Sequence, residues 1–155
     1  MEEKLVSLLL EKGLTVTTAE SCTGGMIASK IVNVSGASEV FHAGFVTYAN
    51  SAKEAYAGVL SETLQTYGAV SSQVALEMAR GVAKTAGAEV GISVTGIAGP
   101  GGGSVEKPVG LVYIGCHVCG KTDYKEFNFT GDRLTIRQNS AKEAVKFAVE
   151  MLENL

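Results

Sequence analysis

Apolar and polar positions repeat with two different periods along this 155-residue chain, and the period sets the element expected in each stretch. Residues 2–12, EEKLVSLLLEK, carry an apolar stripe at helical spacing, and Gly13 follows as a C-cap. LTVTTAE, residues 14–20, is rich in β-branched positions and reads as a strand. TGGMIASKIVNVSG comes next, with a helical period from Met26 to Val34, so residues 20–25 form a strand-to-helix turn. VFHAGFVTYA (40–49) reads as a second strand. NSAKEAYAG follows as a short helix capped by Asn50 or Ser51, and residues 60–67 form another short turn or helix.

The clearest helix is SSQVALEMARGVAKTAGA. Ser71 or Ser72 caps it, and Val74, Ala75, Met78, Ala79 and Val82 make one apolar face. Gly81 weakens that helix by about 1 kcal/mol unless close packing requires it. AEVGISVTGI (88–97) has little polar character, as expected of a central strand covered on both faces. A Gly/Pro loop, AGPGGGSVEKP, separates it from VGLVYIGCHV and DYKEFNFT. This pair is joined by CGKT and reads as a β-hairpin. A long helix runs from Arg133 to Leu152, with Leu134, Ile136, Val145, Ala148 and Leu152 as its inward positions. The expected fold is α/β: a single domain over residues 1–155, with one mixed β-sheet flanked by helices on both faces in three layers.

Composition narrows the function classes. The 13 basic and 16 acidic residues leave a net charge of −3 with no basic block, which argues against a nucleic-acid partner. No segment reaches the roughly 18–20 apolar residues that span a bilayer, so no membrane partner is expected. Acidic residues flank the first apolar run, which therefore reads as a helix and not as a signal peptide. Three cysteines, Cys22, Cys116 and Cys119, do not make a disulfide framework, and the expected location is cytoplasmic. Nineteen glycines are the compositional outlier and point to loops with unusual dihedrals or close backbone approach.

The densest chemistry lies in TTAESCTGG, Thr17–Gly25. Three readings are open: Ser21 is a nucleophile, Cys22 is the nucleophile, or the stretch is only a tight turn. Amides at a strand-to-helix turn can stabilise an oxyanion, and they can equally hold a phosphate or carboxylate. The stretch is not a GxSxG elbow. The only histidines, His42 and His117, each fall within a predicted strand, so neither a Ser-His-Asp triad nor a metal site is expected. A serine nucleophile would need a lysine or tyrosine as base. TYANSAK supplies Tyr48 and Lys53, and a lysine at a helix start, partly buried, is pushed toward its neutral form; the alternative is a solvent-facing lysine. A helix start would also lower a thiol pKa, but Cys22 has no histidine near it in sequence and stands beside Glu20, so a buried scaffold role fits it better.

TGIAGPGGG is either a mobile surface loop or a phosphate cradle, with Lys107 just beyond it as a source of charge. It lacks the ending of a P-loop and the spacing of a dinucleotide fingerprint. Arg133 and Arg137, four residues apart on one helix face, suit a carboxylate or phosphate, while Asp132 serves as cap or ion partner. In CHVC, Cys116 and Cys119 point to opposite faces of a strand, which argues against zinc.

AESCTGG, GFVTYANSAKE, YGAVSSQVALEMARG, SVTGIAGPGGGSVEKPVGLVYIG and FTGDRLTIRQNSAKEAV, in that order, resemble the CinA C-terminal domain family from about residue 4 to residue 152. The resemblance implies a short, single-domain, dimeric α/β amidohydrolase without metal or organic cofactor. Its substrate would be nicotinamide mononucleotide, whose carboxamide it would convert to nicotinate mononucleotide and ammonia. The family serine falls on Ser21, and the tyrosine and lysine on Tyr48 and Lys53. Ser21 would attack the amide, Lys53 with Tyr48 would move the proton, and the amides of Cys22, Thr23 and Gly24 would bind the oxyanion. The phosphate would fall to Gly99, Gly101, Gly102, Gly103, Lys107, Arg133 or Arg137. His42 stands where a small residue is usual and would narrow the pocket; KIVNVSG and GGGSVEKP also depart from the commoner pattern. The competing function is a non-catalytic nucleotide-binding or protein-interaction module of the same fold. Glu20 has two candidate roles: to anchor Lys53 or to orient the turn.

Overall fold

The computed structural model describes Met1–Leu155. Five strands form one sheet in the order β2-β1-β3-β4-β5: β1 Val16–Glu20, β2 Phe45–Val46, β3 Val90–Gly96, β4 Leu111–Val118 and β5 Lys121–Asn128. β2, β1 and β3 run parallel, while β4 and β5 continue the sheet antiparallel. The helices are α1 Glu2–Lys12, α2 Met26–Val32, α3 Asn50–Ala57, α4 Ser61–Tyr67, α5 Ser72–Ala86 and α6 Arg133–Glu153. α1, α2 and α6 cover one face of the sheet and α3 and α5 the other, which gives the mixed three-layer arrangement expected from the pattern.

The two faces are built differently because the strands alternate. Val90, Ile92, Val94, Val112, Ile114 and Cys116 point toward α6 and α1 and form the larger core. The opposite face carries Gly91, Ser93 and Gly115, and α5 lies almost against the backbone there. A Cβ at Gly91 would meet the Ala79 carbonyl oxygen at 2.1 Å, and one at Gly115 would meet that of Ala75 at 2.4 Å. The Ser93 hydroxyl donates to the same Ala75 carbonyl at 2.7 Å. α3 packs on α5 just as closely: a Cβ at Gly81 would stand 1.7 Å from the Ala57 carbonyl oxygen. Close packing therefore explains a glycine that helix propensity alone disfavours.

Several boundaries differ from the sequence expectation. The second strand shrinks to Phe45–Val46 with one isolated bridge between Val16 and Phe41, and His42 lies in an exposed irregular segment. Ala49 occupies the N-cap of α3 without a side-chain bond, so neither Asn50 nor Ser51 caps it. Ser71 does cap α5, accepting from the Val74 amide. The hairpin turn is only Cys119–Gly120, both with positive φ (47° and 90°), as a two-residue turn between twisted strands requires. Leu134, expected to face inward, is exposed in the first turn of α6. The carboxyl ends of β1, β2 and β3 open at one end of the sheet, the usual ligand position in such folds.

Candidate active site

Ser21 follows the last residue of β1, and its amide donates to the Val94 carbonyl of β3 at 3.0 Å. The chain then turns through Gly24 and Gly25, with φ of 55° and 106°, to start α2. Glu20 organises this turn. Its carboxylate is buried; one oxygen accepts the Thr23 hydroxyl at 2.7 Å and the Ile27 amide at 2.8 Å, and the other accepts the Ala28 amide at 3.0 Å. Glu20 therefore caps α2 from the preceding strand and does not pair with Lys53. The same contacts use the positive end of α2 internally, so that helix start is not free to hold an oxyanion.

Within the turn, the Gly24 amide donates to the Ser21 carbonyl at 3.2 Å, which removes it from the expected oxyanion donors. The Cys22 and Thr23 amides donate to no other oxygen of the protein. The Cys22 thiol is buried and pushed up to about 11, chiefly by burial, with the Arg137 and Lys53 charges opposing. It stays protonated at neutral pH and makes a poor nucleophile.

Lys53, one turn into α3, is 1% exposed and has no carboxylate partner. Its Nζ lies 3.0 Å from Ser21 Oγ, 2.9 Å from the Thr47 carbonyl and 3.0 Å from the Tyr48 carbonyl. Burial holds the amine below its ordinary pKa, against a smaller opposing contribution from Cys22. A neutral amine has two N–H bonds and one lone pair. As an ammonium Lys53 donates to all three oxygens; in its neutral form the two carbonyls accept the N–H bonds and the lone pair faces the Ser21 hydroxyl.

The Tyr48 hydroxyl sits apart from this pair: its side chain is exposed and accepts from Arg133 Nη2 at 3.2 Å. Tyr48 meets Lys53 only through its backbone carbonyl, so its hydroxyl is not placed to share a proton with Lys53. Arg133 also donates through Nη1 to the Gly99 carbonyl at 2.8 Å, so it bridges the two walls of a cleft of about 190 Å³. Ser21, Cys22, Tyr48, Arg133, residues 96–99, Gly101 and Gly102 line that cleft. The amides of Ala98, Gly99, Gly101, Gly102 and Gly103 have no acceptor within the protein. Gly103 turns away to pack on Val109, and Lys107 donates to the Tyr67 carbonyl at the end of α4; neither lines the cleft. Arg137 does not line it either. Its Nε donates to the Cys22 carbonyl at 2.8 Å and its Nη2 to the Thr23 carbonyl at 3.3 Å.

Neither histidine reaches the cleft: His42 is exposed elsewhere, and His117 Nδ1 is 2.7 Å from the Thr122 hydroxyl in the hairpin. No group of three or more His, Cys, Asp or Glu side chains is placed to hold a metal ion. No helix is long and apolar enough to cross a membrane.

A family model described as the CinA C-terminal domain matches residues 1–152. A CinA-like protein of Kosmotoga olearia is 56% identical over 147 residues, which cover 95% of this chain and 36% of that protein. The chain spans a little over a third of the length of the curated relatives it matches. The crystal structure of a CinA superfamily protein from Klebsiella pneumoniae superposes with a TM-score of 0.94 at 31% identity, covering 99% of this chain and 96% of that one. The competence/damage inducible protein CihA from Agrobacterium tumefaciens superposes with a TM-score of 0.89 at 43% identity, covering 98% and 95%.

Proposed function

This chain belongs to the CinA C-terminal domain family, and we propose that it is an amidohydrolase acting on nicotinamide mononucleotide. The observation that carries this reading is the buried Lys53 amine, 3.0 Å from Ser21 Oγ, with backbone carbonyls as its only other partners. That arrangement gives a serine its base without a histidine. Lys53 takes the hydroxyl proton as Ser21 Oγ bonds to the carboxamide carbon. The Cys22 and Thr23 amides hold the oxygen that becomes negative. The resulting Lys53 ammonium returns its proton to the leaving nitrogen, and ammonia departs. Water then attacks the acyl carbon as Lys53 takes its proton, and Lys53 passes that proton to Ser21 Oγ as the ester bond breaks and nicotinate mononucleotide leaves.

The free amides of Gly99, Gly101 and Gly102, with Arg133 across the cleft, are the donors best placed for the phosphate. Lys107 and Gly103 are assigned no contact with it.

Ammonia release from nicotinamide mononucleotide, followed for wild type, Ser21→Ala and Lys53→Met, tests the reading. Wild type is expected to release ammonia, and each variant to lose about a thousand-fold or more in kcat. Variants as active as wild type would remove Ser21 and Lys53 from the reaction. Nucleotide binding by wild type without any release would favour the binding-module reading, for which the free loop amides suffice.

A further inference from the structure

Arg137 lies one helical turn beyond Arg133 on α6, yet its donors go to the backbone of the nucleophile turn. It is half-buried, and a Cβ placed on Gly24 would come within 3.3 Å of its Nη2, so the turn fits closely around the guanidinium. In a planar trans peptide the C=O and N–H point in opposite directions. Holding the Cys22 carbonyl toward Arg137 therefore turns the Thr23 N–H away from α6. The Thr23 amide, like those of Cys22 and Gly25, has no protein acceptor. A full positive charge on the carbonyl side also polarises that peptide and strengthens its N–H as a donor. Glu20 grips the same turn through the Thr23 hydroxyl and the first amides of α2. A cation from one element and a carboxylate from another thus hold residues 22–24 between them.

We propose that Arg137 is a positioning residue that aims the Thr23 amide at the oxyanion, and not a ligand of the substrate phosphate. The inference rests on Ser21 being the nucleophile. The two roles separate kinetically. A phosphate ligand acts mainly through KM, and only on phosphorylated substrates. A residue that aims oxyanion donors acts through kcat, whatever tail the substrate carries.

The experiment compares wild type, Arg137→Met and Arg137→Lys on nicotinamide mononucleotide and on nicotinamide riboside, which has the same carboxamide and no phosphate. Thermal unfolding of each variant identifies any that fails to fold. Arg137→Met is expected to lose about 10- to 100-fold in kcat on both substrates, with KM nearly unchanged. Arg137→Lys, able to donate to one carbonyl, is expected to recover part of the loss. A KM increase on the mononucleotide with no loss on the riboside would make Arg137 a phosphate ligand and overturn the proposal.

A second readout does not depend on the substrate: the rate at which a fluorophosphonate labels Ser21. Here Oγ bonds to phosphorus, fluoride leaves, the serine proton passes to Lys53, and the phosphoryl oxygen takes the oxyanion position. Labelling of Arg137→Met is expected to slow by a similar factor, and equal labelling rates would also overturn the proposal. If wild type labels, slows on Arg137→Met and leaves the mononucleotide intact, the substrate assignment fails while the role of Arg137 stands.

Discussion

Lys53 is held where its charge is costly. Water is excluded, no carboxylate compensates, and the amine is kept below its ordinary 10.5 by burial. Between that lowered value and 10.5 the unfolded chain binds more protons at this position than the folded one, so stability rises with pH across the window. Below the window both states are protonated and the penalty is complete; above 10.5 it vanishes. Lys53→Met removes the titration. Its stability relative to wild type, measured by urea unfolding, is therefore expected to decline as the pH is raised from neutral toward 10.5. A difference that stays constant with pH would mean that the amine titrates at its ordinary value. At this scale the sequence showed Lys53 near a helix start and paired it with Ser21, because both signals are local. It did not show the partners of Glu20, which depend on α2 folding back over the end of β1. Nor did it show those of Arg137, whose two carbonyls lie 115 and 114 residues away along the chain. Both arginines share one helix face, but spacing cannot say that one reaches a cleft and the other a backbone.

The position of Lys53 is set by contacts between elements. α3 carries it, α3 lies on α5 through Gly81, and α5 lies on the glycine- and serine-bearing face of β3 and β4. Gly81→Ala favours α5 by about 1 kcal/mol in helix propensity, but it places a methyl 1.7 Å from the Ala57 carbonyl oxygen. Overpacking of this kind costs about 1–3 kcal/mol and displaces the lighter neighbour, here α3. The expected result is a lower melting temperature together with a fall in kcat that exceeds any change in KM. A Gly81→Ala protein as stable and as active as wild type would show that α3 can move without moving its lysine. Elements with long, uninterrupted periods, such as α5, β3 and the β4–β5 pair, were readable from the pattern. β2 was not: a Cβ at Gly44 would come 2.7 Å from the Thr18 hydroxyl and 2.8 Å from the Phe41 ring, and the chain runs through irregular backbone there before pairing at Phe45. The β-branched and aromatic content of residues 40–49 says nothing of that crowding.

For the molecule as a whole, the site draws on residues 20–24, 47–53, 96–102 and 133–137, which meet only when the parallel strands and α6 are all in place. The central strand, the flanking helices and the mixed sheet followed from the order and character of the elements. Which helices share a side did not, because α1, α2 and α6 are gathered from both ends of the chain. A site assembled in this way should not survive partial unfolding. Ammonia release and helical circular dichroism are expected to disappear at the same urea concentration. Activity lost well before the helical signal would mean that the cleft opens as a separate unit.

Glu20 has a consequence beyond holding a turn in shape. Because its carboxylate fills the position at the start of α2 that a bound anion would otherwise take, the nucleophile segment is ordered during folding and does not wait for a substrate to order it. The reacting half of the cleft is thus preorganised, and it is independent of the half that recognises the rest of the ligand. On the proposed reading, selectivity is left to residues 96–102 and Arg133, which contribute nothing to the Glu20 cap. On the proposed reading, substitutions in that glycine-rich segment are expected to redirect the domain to carboxamides with other tails while Ser21 and Lys53 keep their geometry.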